Sequence, residues 1–152
     1  MSPLYRSPPS LQRQRAARSN HGPEAINRRG SINRIIGYWD GNPVNLEPLP
    51  QRESATLYVD MMGGSAKIMA KGRELIDQGK YLHAGEILNR LVFAEPSNQD
   101  ARNLLADAFE QIGYQRESPS LRNSYLNMAF ELRSGMQAGL APSSTGPDVL
   151  RA

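Results

Sequence analysis

Two stretches decide the fold: Gly72-Arg73-Glu74-Leu75-Ile76-Asp77-Gln78-Gly79-Lys80-Tyr81 and Ala106-Asp107-Ala108-Phe109-Glu110-Gln111-Ile112-Gly113-Tyr114-Gln115. Gly79 and Gly113 stand 34 residues apart, and a small residue, Gly72 or Ala106, lies seven positions before each. After Gly79 follow Tyr81, Ala84, Leu88 and Leu91, and then Pro96. In physical terms this is a helical hairpin met twice. A small residue on the first helix lets the second approach closely, a glycine breaks the chain between them, and a proline stops the second helix.

A period of about 34 residues with this order of small, aromatic and proline positions is that of a tetratricopeptide repeat. One and a half to two units are legible. A stack that short cannot cap both of its apolar faces by itself. Outward from the repeat, Pro50 can open a helix to Met62 with Leu57, Tyr58 and Met61 on one stripe, ended by Gly63-Gly64. Ser65 is a good N-cap for a helix to Asp77 or Gln78, with Ile68, Met69, Leu75 and Ile76 inward. Tyr81 to Phe93 carries Ala84, Ile87, Leu88, Leu91 and Val92 on a wide apolar face. Ser97-Asn98-Gln99-Asp100 resembles a capping box and starts a helix with Ala101, Leu104, Leu105, Ala108, Phe109 and Ile112. Ser118-Pro119 sets N-cap and N1 of a last helix bearing Leu121, Tyr125, Met128, Ala129 and Leu132, ending near Gly135. The expected class is all-α: about five helices in antiparallel tetratricopeptide-like hairpins.

Charge divides the chain. Residues 1–37 hold seven arginines against one acid, Glu24, whereas residues 38–152 hold 11 Lys and Arg against 14 Asp and Glu. Residues 1–30, with prolines at 3, 8, 9 and 23 and no apolar period, read as a disordered basic leader. Tyr5 is the leader's one ring, so the interleaved aromatics of a nucleic-acid binder are missing and no nucleic-acid partner is expected. Residues 31–50 read as an extended arm. Ile32, Ile35, Ile36 and Trp39 fall at helical spacing, and Asp40-Gly41-Asn42-Pro43 then forces a turn. The helical domain spans 51–137, and the Pro-, Ser- and Gly-rich segment 138–152 is a linker. No apolar run approaches the roughly 18 residues of a membrane span. Without a secretory signal in view, the default compartment is the cytoplasm.

Catalytic chemistry finds little footing. The absence of cysteine removes disulfides, thiolate catalysis and cysteine metal sites. The two histidines, His21 and His83, are far apart in sequence and neither sits in a His-x-His or His-Glu-x-x-His pattern. Gly63-Gly64-Ser65-Ala66-Lys67 lacks the Gly-Lys-Ser/Thr core of a phosphate loop, and helix capping accounts for it. Glu74 with Asp77, and Asp107 with Glu110, are spaced as solvated helix faces. Met61-Met62 reads as core filler. Ser31, Ser54 and Ser65 lie in no Gly-x-Ser-x-Gly elbow. The sequence holds no autonomous active site and no cofactor is expected in it.

Six blocks carry a resemblance. They are Gly37-Tyr38-Trp39-Asp40-Gly41-Asn42-Pro43, Tyr58-Val59-Asp60-Met61-Met62-Gly63-Gly64, Leu88 to Pro96, Leu104 to Gln115, Arg122-Asn123-Ser124-Tyr125-Leu126 and Glu131-Leu132-Arg133. In order and spacing, over Ile32 to Ser134, the chain resembles the dimerisation domain of the metallo-β-lactamase-fold alkyl sulfatases, as a fragment lacking the catalytic domain. The resemblance implies homodimerisation, with a zinc hydrolase domain for alkyl sulfate esters as a second, separate partner. The family's His-x-His-x-Asp-His zinc motif is absent, so no catalytic or metal residue carries over. It also implies that Tyr38 and Trp39 form the edge joining the helical domain to the hydrolase. From their apolar arcs, Leu91, Val92 and Phe93 of helix 81–93 and Leu121, Tyr125, Met128 and Leu132 of the last helix are the candidates for dimer contacts, their division between interface and protomer core left open by the sequence. The other function compatible with such hairpins is a small peptide-binding adaptor, which usually wants three units rather than two.

Overall fold

The computed structural model describes residues 39–135, together with single positions at 10, 30, 34 and 37. The leader 1–30, the linker 138–152, His21, Tyr38, and Ile32, Ile35 and Ile36 of the short helix expected before Trp39 lie outside the described residues. Across residues 39–135 five helices follow one another: α1 Gln51–Met61, α2 Ser65–Asp77, α3 Tyr81–Ala94, α4 Gln99–Tyr114 and α5 Pro119–Ser134. No strand occurs among the described residues. In the arm, the turn expected at Asp40-Gly41-Asn42-Pro43 leads into a 3-10 turn, Pro43–Asn45.

α3 is the centre: α1, α2 and α4 all pack on it, and α5 packs on α4. Ala84, Leu88 and Leu91 of α3 are fully enclosed, as are Ala101, Ala106 and Ala108 of α4. Each fully buried leucine contributes roughly 2–3 kcal/mol by removal from water. The first helices of the two hairpins open at Ser65 and Gln99, which reproduces the 34-residue period. Gly72 performs the close approach that its position implies. A Cβ on it would stand 2.8 Å from Leu88 Cδ2, so the helices could not meet as they do with any other residue there.

The two repeat glycines, however, do different things. Gly79 ends α2 with φ +70°, its N–H donating to Ile76 and that of Lys80 to Leu75, a Schellman-type stop. Gly113 does not break the chain. It lies inside α4, which at 16 residues is longer than α2 at 13, and is buried where a Cβ would come 2.9 Å from Leu126 Cδ2 of α5. The turn that follows is closed differently, by Arg122 donating from Nε and Nη2 to the Arg116 carbonyl at 3.0 and 2.7 Å.

Three further expectations are corrected. On α1 the buried stripe is Ala55 and Val59, with Met62 packed beside them, while Leu57, Tyr58 and Met61 face out. Met61 is therefore not core filler. Ser65 is not the cap of α2, because Gly64 holds that position and the Ser65 hydroxyl instead donates to Glu95 Oε1. The cap of α4 is Asn98 rather than Ser97, its Oδ1 accepting from the Ala101 N–H at 3.0 Å.

Glu95 ties three helix ends together. It accepts from Ser65 at the start of α2 and from Asn98 Nδ2 (2.8 Å) at the start of α4, and it follows α3 directly. The Ser65 hydrogen bond first, and that from Asn98 second, hold its carboxyl below the usual glutamate range. The folded form thus favours the carboxylate. The stability this contributes is full above the ordinary glutamate pKa, about 4.3, and is lost as pH falls through the lower folded value. Thermal unfolding followed from pH 6 downward should therefore show the native protein losing stability relative to Glu95→Gln once pH drops beneath about 4.3. Parallel curves for the two proteins would remove Glu95 from that role.

Candidate functional site

The residues named from sequence as contacts scatter over several environments. Leu91 is 0 % exposed, walled in by its own protomer, and Leu132 is buried as well. Neither has surface to offer a second molecule. The broad arc of α3 that was expected to outrun its neighbours is closed over Ala84, Gly85, Leu88 and Leu91 by three helices. Val92 and Met128 are half-buried against the core. Leu121 is half-buried, and Tyr125 packs edge-on against Phe109, ring centres 5.5 Å apart at 66°. Most of the apolar stripe of α5 is thus spent on α4. Phe93 and Trp39 remain exposed.

Polar groups reinforce the α4–α5 seam. Arg133 spans both carboxylates of α4 that had been taken for a solvated face, at 2.7 Å to Asp107 and 2.6 Å to Glu110. The Arg133 hydrogen bond holds the Glu110 carboxyl low, and the guanidinium is pushed further up by Glu110 and then Asp107. At the same end of α5, Arg102 and Gln99 donate to the carbonyls of Glu131 and Leu132, at 3.3 and 3.5 Å. The Asp107 and Glu110 carboxylates thus tie α4 to α5 through Arg133.

The apolar surface that sequence reasoning missed lies nearer the N-terminus. Along α1, Leu57 is 50 %, Tyr58 46 % and Met61 76 % exposed. In the arm, Val44, Leu46 and Leu49 are exposed beside Trp39. The arm is nonetheless shaped. Asp40 Oδ1 accepts from the Asn42 N–H at 3.0 Å and its Oδ2 from the Asn45 side chain, and Asn42 Oδ1 accepts from Val44 N–H at 3.2 Å. The Asn42 N–H, and then the Asn45 amide, lower the Asp40 pKa. Gly41, at φ +89°, allows the turn expected of Asp40-Gly41-Asn42-Pro43.

Among the described residues no three His, Cys, Asp or Glu side chains converge as metal ligands, so zinc finds no fitting site there. His83 is exposed on α3. A shallow groove of about 250 Å³ runs between α3, α4 and α5, with Leu82, Glu86, Asn89 and Phe109 among its walls. No described helix is long and apolar enough to cross a membrane.

A family model described as alkyl sulfatase dimerisation matches residues 2–135. It reaches well before Ile32 and takes in the leader that the six blocks left out. The chain is 45 % identical over 129 residues to an (R)-specific secondary-alkylsulfatase of Pseudomonas sp., covering 85 % of this chain and 20 % of that protein. It is 39 % identical over 131 residues to the alkyl/aryl-sulfatase BDS1 of Saccharomyces cerevisiae, covering 86 % and 20 %. The solved structure of the stereoselective inverting sec-alkylsulfatase Pisa1 from Pseudomonas sp. superposes with a TM-score of 0.75 at 45 % identity, over 80 % of this chain and 19 % of that one. The chain spans about a fifth of the length of the curated relatives it matches. A match that runs from residue 2 to residue 135, on the helical hairpins described above, places this chain in the alkyl sulfatase dimerisation family.

Proposed function

We propose that this chain is a homodimerisation module. The observation that carries the reading is the family match over residues 2–135. In this reading the module serves an alkyl sulfate ester hydrolase, the activity that the relatives' names describe. The zinc-dependent chemistry belongs to a separate catalytic domain, which is the second partner.

Association then adds to the stability of the folded protomer. Sedimentation equilibrium at micromolar concentration should give a dimer, and the melting temperature should rise with protein concentration. A well-folded monomer whose melting temperature ignores concentration would overturn the proposal.

A further inference from the structure

Self-association requires a surface, and the exposed apolar side chains point to one. Of the large hydrophobic residues exposed among the described residues, Trp39, Val44, Leu46, Leu49, Leu57, Tyr58 and Met61 fall within a single stretch, residues 39–61. The rest, Leu82, Phe93, Tyr114 and Phe130, are spread over α3, α4 and α5. Scattered exposed hydrophobics are ordinary on a soluble protein and need no explanation. A concentration of seven in one short segment does.

α1 is apolar on two sides. Ala55 and Val59 are buried against α3, whereas Leu57 and Met61 are exposed, and Tyr58 is exposed at the flank where its ring meets Arg90 of α3. A single chain covers Ala55 and Val59 and leaves the larger apolar side chains of α1, Leu57, Tyr58 and Met61, exposed. The arm has the same imbalance, since every residue from Trp39 to Pro50 is exposed. Neither element covers the other within the protomer.

We propose that the outer face of α1 and the arm before it are where a second copy of this chain docks. This rests on the homodimerisation reading and names its surface, which differs from the α3 and α5 faces expected from sequence. Three observations favour a second copy as the occupant. The family matched over nearly the whole chain is described by dimerisation. At their fractional exposures the seven side chains together offer on the order of 700 Å², near the ~800 Å² per partner of a standard-size interface. A twofold axis lets two copies of one stripe and one arm cover each other without any further surface. Tyr58 is also held ready. The Arg90 guanidinium lies 4.8 Å from its ring centre, a cation–π contact that fixes the ring before binding.

Sedimentation equilibrium on the full chain decides the matter, using wild type, Met61→Glu, Leu46→Glu and, as control, Phe130→Glu. All three positions are exposed, so the protomer accepts the charges, and circular dichroism checks the helix content. The expected result is that Met61→Glu and Leu46→Glu each weaken the dimer by at least about thirtyfold with unchanged helicity, as for an interface anchor, while Phe130→Glu dimerises as wild type. If both variants dimerise like wild type, the surface is refuted and self-association stands. A wild type that is monomeric alone removes the homodimerisation reading itself. A monomer that associates through these residues only with an added hydrolase domain gives the surface to that domain instead.

Discussion

Leu88→Ala should lower the unfolding free energy by about 3–5 kcal/mol, the upper part of the range for leucine truncation in a closed core. Leu88 is fully buried at the centre of α3, with its two methyl groups on the bare backbone of Gly72. Three helices pack on α3, so little can collapse into the space that is left. The partner substitution, Gly72→Ala, would gain about 1 kcal/mol in an open helix. Here its methyl would stand 2.8 to 3.1 Å from three Leu88 atoms, and the net effect should be a loss of about 1–3 kcal/mol. In the double variant the added methyl occupies part of the vacated space. Denaturant unfolding at fixed protein concentration should therefore find the pair at least about 1 kcal/mol less destabilised than the sum of the singles. Strict additivity would mean that the two residues do not share this contact.

Gly113→Val should cost about 2–3 kcal/mol, the expense of forcing side-chain volume into a packed seam. The first atoms the new side chain meets are Leu126 Cδ2 at 2.9 Å and Cγ at 3.1 Å. Gly79→Asn should cost less than about 1 kcal/mol, because asparagine tolerates the left-handed conformation and a Cβ there meets nothing within 4 Å. Matched thermal melts compare the two. The reverse order would return Gly113 to the role of a turn residue.

That pair of glycines shows where sequence alone ran out. Their 34-residue spacing located both hairpins and the start of α4 relative to α2. It could not show that α4 continues past Ile112 to Tyr114, because the turn after it is closed by an arginine far along the chain instead of a left-handed glycine. α1 failed for another reason. It has two apolar stripes, one small (Ala55, Val59) and one large (Leu57, Tyr58, Met61), and periodicity favours the larger. The smaller stripe faces α3, where short side chains allow close helix approach. The same preference picked out side chains that the protomer encloses itself. Leu91, Val92 and Leu132 stand out in sequence as strongly apolar, and that quality serves the protomer's own core. The cap at Asn98 was missed by one residue because Ser97 and Asn98 are equally good caps by type, and the Glu95 hydrogen bond that orients Asn98 is formed only by folding.

The way α1 is attached has a consequence in time as well as in energy. It is held chiefly through α3, by side chains no larger than alanine and valine, whereas α4 is gripped by α3 on one side and α5 on the other. The two helices should therefore not open together. The backbone amides of α1 exchange with solvent through a partial opening that leaves α2 to α5 in place, while those of central α4 wait for the whole protomer to unfold. A second molecule seated on the outer stripe of α1 would slow the first of these clocks while leaving that partial opening's route unchanged.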